Sequence, residues 1–240
     1  MKVAICLYGL HPKYCWKGKP EQEDKSYKYW NRNVFNQNYD VDIFLHSWSY
    51  NDKMLLLNEY KPKSYIIEEQ ISFRSVIKSK NEEDLLKRSY NMGWEEIQYS
   101  STYSMKKSVE LMRENENKKN LKYDFVMLAR MDLLWLNKVE FENLDNTYFY
   151  QPIWGKDNIY SNGVEVLGNF FISNSNNIYN FSKLYDKLPI YLKDNEQISG
   201  HKLFKLHIDS ITNNIDYKFR DCHSENPECD KQRDLILKNI

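Results

Sequence analysis

Residues 123 to 136, YDFVMLARMDLLWL, constrain the fold more than any other stretch of the chain. Tyr123 to Ala129 is a nearly unbroken apolar run that reads as a buried β-strand. Arg130 and Asp132 then interrupt it, and a second apolar run, Leu133 to Leu136, follows at once. A carboxylate between two apolar stretches is costly to bury without a partner. At the C-terminal end of a strand in an open α/β sheet, it faces the crevice where such sheets bind ligands. An Asp there can hold a hard divalent cation, and the cation a diphosphate. The neighbouring Arg can fork onto the same phosphates. The same two residues also suit an ion pair or a helix cap that simply closes the strand, and this segment does not choose between the readings.

The flanking sequence supplies the sheet. KVAICLY, residues 2 to 8, reads as a buried strand ended by Gly9, with a loop over 10 to 20. Tyr27, Trp30 and Val34 fall at helical spacing within 21 to 37. VDIFLHSW (41 to 48) is a second strand, residues 53 to 60 a helix stopped by Pro62, and SYIIEE (64 to 69) a third strand. A helix is expected at 81 to 90 and another at 101 to 119, with Ser101-Thr102 as N-cap and Met105, Val109 and Met112 on one face. The fourth strand is 123 to 130. This alternation predicts right-handed crossovers and a mostly parallel sheet. The second half reads as strands at 147 to 153 and 166 to 173, helices at 175 to 187 and 196 to 213, a strand at 215 to 219, and a polar tail with a short helix at 230 to 238. No repeat, heptad seam or linker interrupts it, so the 240 residues are expected to form one domain.

Composition narrows the function classes. Lys plus Arg and Asp plus Glu number 34 each, which leaves no electrostatic footprint for duplex nucleic acid. No apolar stretch approaches the ~20 residues needed to span a bilayer, and MKVAICLYGL lacks the cleavage site of a secretory signal. The cysteines, Cys6, Cys15, Cys222 and Cys229, form no C-x-x-C pair, so neither a zinc site nor a disulfide framework is indicated, and a cytoplasmic setting is the simple reading. The 19 Tyr and 6 Trp exceed what a core needs, and aromatic faces suit sugars and nucleobases. No G-x-S-x-G segment exists, which removes a hydrolase with that nucleophile elbow.

The order VAICLYG, VDIFLHSW, YKPKSYIIEE, SSTYSMKKSVELM and YDFVMLARMDLLW resembles the small nucleotide-sugar glycosyltransferases of the GT-A fold, found in large DNA viruses and bacterial surface-glycan gene clusters. The resemblance covers roughly residues 1 to 215; His46-Ser47-Trp48 and Arg130-x-Asp132 carry most of it. It implies a GT-A-like (Rossmann-like) α/β fold, a mostly parallel sheet with helices on both faces and a short antiparallel acceptor-side part. Residues 1 to 136 would bind the nucleotide sugar, 137 to 220 would hold the acceptor, and 221 to 240 would be a tail. The implied partners are a UDP- or GDP-type sugar donor and a glycan acceptor. Where the family carries D-x-D for a divalent metal, this chain has Arg130 and only Asp132. Either Asp132 contacts Mn²⁺ or Mg²⁺ with water and phosphates completing the shell, or Arg130 replaces part of the metal's charge.

The resemblance also nominates site residues. Tyr8 and Gly9 would face the nucleotide, with His11 and Lys13 in the same loop. His46 would contact the donor or brace the site, and Trp48 would form core or pocket wall. Tyr103, Ser104 and Lys107 would approach the donor from the start of the 101 to 119 helix, unless they form a plain solvent face. Asp157 and Glu165 are the candidate bases for the acceptor hydroxyl, and either is also explicable as a loop charge. His207 is a candidate second metal ligand, with His201 and His223 as other late histidines. LGNFFISN places Asn169 where relatives carry Asp, which leaves a degenerate GT-A domain that binds glycan or nucleotide without turnover as the competing reading. A nucleotidyltransferase would require a Gly-rich basic loop after the first strand, of which LYGLHPKYCWKGK is a poor version.

Overall fold

The structure is a computed structural model and describes residues 1–12, 26–35, 38–77, 89–135, 137–154, 168–194 and 200–221. Its strands are β1 (Lys2–Gly9), β2 (Asp40–Ser47), β3 (Ser64–Ile67), β4 (Phe125–Arg130), β5 (Phe149–Trp154), β6 (Phe170–Ser173) and β7 (Ile215–Asp221). Its helices are α1 (residues 26–35, of which Asn31–Phe35 are π-helical), α2 (Lys53–Tyr60), α3 (Arg74–Ile77), α4 (Ser89–Lys119), α5 (Ser175–Ser182), α6 (Leu184–Asp194) and α7 (Gly200–Asp209). The chain is α/β, with one mostly parallel mixed sheet in the order β3-β2-β1-β4-β6-β5-β7. The first four strands run parallel; β6 lies antiparallel to β4 and β5, and β7 parallel to β5. Both halves of the chain therefore share a single sheet, joined where β4 meets β6.

Strand periodicity explains the two cores. Ala4, Cys6 and Tyr8 of β1 face the side covered by Met105, Val109 and Met112 of α4 and Ile178 and Phe181 of α5. Val3, Ile5 and Leu7 face the other side, under Trp30 and Val34 of α1 and Leu56 and Tyr60 of α2. A strand buried on both faces has to be apolar throughout, which is why VAICLY and FVMLA read as continuous runs. At β4 the burial relents only at Arg130, whose half-exposed side chain marks the edge of the sheet.

Several boundaries differ from expectation; among them, the helix expected at 196 to 213 ends at Asp209 and the strand expected at 64 to 69 ends at Ile67. The 101 to 119 helix is the second half of α4, 31 residues and about 46 Å long. Ser101-Thr102 is thus mid-helix and not a cap, and Thr102 Oγ1 bonds back to the Gln98 carbonyl at 2.6 Å, as a helical Thr can. The single helix expected at 175 to 187 is two, α5 and α6, with Lys183 between them. Asn174 caps α5, its side chain accepting from the Asn177 N–H at 2.9 Å. Strand β6 begins only at Phe170, because Gly168 and Asn169 form a turn. Of the helix expected at 81 to 90, residues 89 and 90 open α4 and 81–88 lie outside the described residues, as does the helix expected at 230 to 238.

Candidate functional site

A cavity of about 650 Å³ opens at the C-terminal edge of the parallel strands. Tyr8 and Gly9 end β1 there, Arg130 and Asp132 follow from β4, and Gly168 and Asn169 lead into β6. Trp48, Gln70 and Ile71, beyond β2 and β3, form one side. Residues of α4, among them Gln98, Ser101 and Met105, form the second, and Gly200, His201 and Phe204 of α7 the third. The crevice is where an open α/β sheet offers converging strand ends to a ligand.

Arg130 and Asp132 meet as a fork: Nε donates to Oδ1 at 2.9 Å and Nη2 to Oδ2 at 2.5 Å. Nη1 donates to Asn169 Oδ1 at 3.4 Å, and the Arg130 N–H donates to the Asn169 carbonyl at 3.0 Å. The Asp132 side chain is 11% exposed and that of Arg130 39%. The ion pair expected of these two residues is present, and both of them also line the cavity.

Behind the cavity a hydrogen-bonded relay fixes the turn after β1. Gly9 has φ +103°, a left-handed conformation that favours glycine, although a Cβ there would meet nothing within 4 Å. Its N–H donates to Ser104 Oγ at 3.0 Å, and its carbonyl accepts from Ser47 Oγ at 2.9 Å. Ser104 Oγ lies 2.7 Å from His46 Nδ1, and His46 Nε2 lies 3.0 Å from Glu68 Oε1. Burial holds the His46 pKa below its ordinary 6.5, against the pull of Glu68. The imidazole is then neutral, with Nε2–H donating to Glu68 and Nδ1 accepting from the Ser104 hydroxyl. His46 has no exposed surface, so it braces the site and does not contact a ligand.

Other nominated residues also move. Tyr8 lines the cavity but is only 2% exposed, and its hydroxyl donates to the Gly168 carbonyl at 2.8 Å, so it is wall and not a stacking platform. Tyr103 and Lys107 do not line the cavity: they lie half a turn around α4 from Ser101 and Met105. Tyr103 stacks on Trp48, and burial pushes its phenol up to about 12; Lys107 pairs with Glu110 at 3.2 Å. His207 is no ligand to a cation at Asp132. It sits about two turns, roughly 10 Å, beyond Gly200, with Nδ1 3.1 Å from Tyr191 Oη and Nε2 3.2 Å from the Asn180 carbonyl. His201, in the first turn of α7, is the histidine that reaches the cavity. His11 is buried against Glu59 at 3.1 Å, outside the cavity. Asp157, Glu165, Lys13 and His223 lie outside the described residues.

Several cavity residues escaped sequence reasoning, chiefly Gln98, Gln70, Ile71 and Phe204. For Phe204 and Gln98 the one signal is a glycine packed against each. A Cβ at Gly168 would overlap the Phe204 ring, and one at Gly200 would stand 2.8 Å from Gln98 Nε2.

At the strand ends, Asp132 is the carboxylate that could hold a divalent cation; Glu96 and His201 also line the cavity. A carboxylate offers about four acceptor positions and the Arg130 fork uses two. Among the described residues no three His, Cys, Asp or Glu side chains cluster as a ready-made metal shell. Ions of the Mg²⁺ and Mn²⁺ class are often held by one or two carboxylates plus phosphate oxygens, so the donor set is compatible with a cation that arrives with a diphosphate. No protein-family model matches the chain, and no curated protein matches it in sequence. No described helix is long and apolar enough to cross a membrane.

Proposed function

We propose that this chain is a GT-A-like glycosyltransferase that moves a sugar from a UDP- or GDP-type donor to a glycan hydroxyl, assisted by Mn²⁺ or Mg²⁺. The observation that carries the reading is that Arg130 and Asp132 end a central strand at an open cavity of about 650 Å³. In this reading the nucleotide lies toward Gly9 and Trp48, with its diphosphate at Arg130 and Asp132. Asp132 holds the cation, which when bound neutralises charge on the leaving diphosphate. The Arg130 guanidinium exchanges an Asp132 oxygen for a phosphate oxygen and steadies the same charge. The acceptor oxygen replaces the diphosphate oxygen at the anomeric carbon and its proton passes to a carboxylate, Asp157 or Glu165.

Asn169 favours a second reading, a domain that binds nucleotide or glycan without turnover. Its amide stands beside Arg130 where relatives of the resembled type carry a carboxylate, and an amide cannot take the acceptor's proton. Hydrolysis of UDP- and GDP-sugars, followed as nucleotide release with Mn²⁺ and with EDTA, separates the two. Metal-stimulated release that disappears in Asp132→Asn supports the transferase; donor binding without release, at any metal concentration, supports the binding module.

A further inference from the structure

Gln98 is unlike the other residues around the cavity. It is 8% exposed, and its Oε1 is sealed from water without a hydrogen-bond partner. Buried polar atoms nearly always find a partner, because an orphan forfeits its hydration for nothing. The other orphans among the described residues, on Tyr60, Trp135 and Gln151, do not line the cavity; Gln98 does. Further along α4 the buried positions Met105, Val109 and Met112 are apolar, so a methionine would fill this site without the penalty. The fold has also made room for the amide: a Cβ at Gly200 would lie 2.8 Å from Nε2 and 3.0 Å from Oε1.

The unmet atom indicates what is missing. An acceptor needs a donor, which a phosphate or carboxylate does not supply, whereas a hydroxyl both donates and accepts. The last torsion of a Gln side chain is broad and roughly two-fold, so the amide is able to turn, and the side chain already lines the cavity. Ser101, three residues on, offers a second hydroxyl-sized partner, and Phe204 and Met105 add apolar surface beside it. We propose that the Gln98 carboxamide is a specificity-determining group that hydrogen-bonds a ring hydroxyl of the bound nucleotide sugar. The inference rests on the transferase reading and names the part of the ligand that this wall recognises. The hydroxyl belongs either to the transferred sugar or to the ribose.

Titration calorimetry on the full chain with UDP, GDP, UDP-glucose and GDP-mannose, beside melting of the unliganded protein, tests this with Q98M and G200A. Q98M removes the orphan and should melt no lower than the unmodified chain. Its affinity for a nucleotide sugar that the unmodified chain binds should fall about three- to tenfold, the loss of one neutral hydrogen bond. A loss confined to the nucleotide sugars assigns the hydroxyl to the sugar; an equal loss with bare UDP or GDP assigns it to the ribose. G200A, whose methyl displaces the amide from a different helix, should produce the same pattern. Unchanged affinity in Q98M, or a Q98M chain that no longer folds, overturns the inference while leaving the transferase reading in place. If none of the four compounds binds the unmodified chain, the transferase reading fails and this inference fails with it.

Discussion

Acidifying the protein from pH 6.5 to 5 should destabilise it through two histidines held neutral inside the fold. Burial depresses the pKa of both His46 and His207 below the ordinary 6.5. The unfolded chain therefore binds more protons than the native one just below pH 6.5, and stability falls as the pH falls. Each such proton is worth about 1.4 kcal/mol per pH unit, so the pair steepens the profile by up to about 2.7 kcal/mol per unit between the unfolded and folded values. The carboxylates with depressed values, Asp42, Glu96 and Glu116, act in the same sense, but around and below their ordinary 3.8 to 4.5. The histidines therefore dominate the upper part of the range, toward pH 6.5, and the carboxylates join them toward pH 5. His46→Gln should do two separable things. It breaks the relay from Glu68 through Ser104 to Gly9, costing about 1–3 kcal/mol at pH 7.5 for two hydrogen bonds. It also removes the His46 share of the slope, up to about 1.4 kcal/mol per pH unit. Urea unfolding followed by tryptophan fluorescence, at half-unit steps from pH 5 to 7.5, measures both. A His46→Gln profile parallel to that of the unmodified chain refutes the assignment of a neutral, buried brace.

Gly9→Ala should cost about 1–2 kcal/mol in urea, because φ +103° is strained for any Cβ while no atom crowds it. An unchanged midpoint would mean that the turn relaxes freely. Tyr8→Phe removes the hydroxyl that donates to the Gly168 carbonyl and should lower stability by about 1 kcal/mol by the same assay, with its ring packing intact. Arg130→Met leaves the Asp132 carboxylate without its countercharge. Because the Arg130 side chain is 39% exposed, solvent screening limits the cost to about 1–2 kcal/mol. The same variant should bind UDP or GDP more weakly in calorimetry, and equal binding would remove Arg130 from the diphosphate site.

What was legible in the sequence was whatever one strand or one helix turn decides. FVMLA had to be a doubly buried strand, and Arg130 could mark its end because a guanidinium is tolerated only where burial relents. The fit of α2 to residues 53 to 60 follows from Pro62 close behind and Lys61 in the left-handed conformation at its end. Relations between distant segments were not legible. Whether His46 touched ligand or protein depended on Ser104, 58 residues away in sequence. The expected role of Tyr103 and Lys107 failed because α4 continues N-terminally through Ser101, so the first-turn geometry assumed for them never forms. His207 looked like a ligand only while its partners, Tyr191 and the Asn180 carbonyl, were unknown. Gln98 gave no local signal, since its significance lies in the absence of a partner and in the space left by Gly200 on another helix.

If Asp132 and Arg130 anchor a diphosphate at the sheet edge, calorimetric titration of UDP and GDP with Mn²⁺ and with EDTA should show saturable binding of one nucleotide to the unmodified chain, strengthened by Mn²⁺, and loss of that strengthening in Asp132→Asn. Binding that is identical in the two proteins, or none in either, would contradict that anchoring.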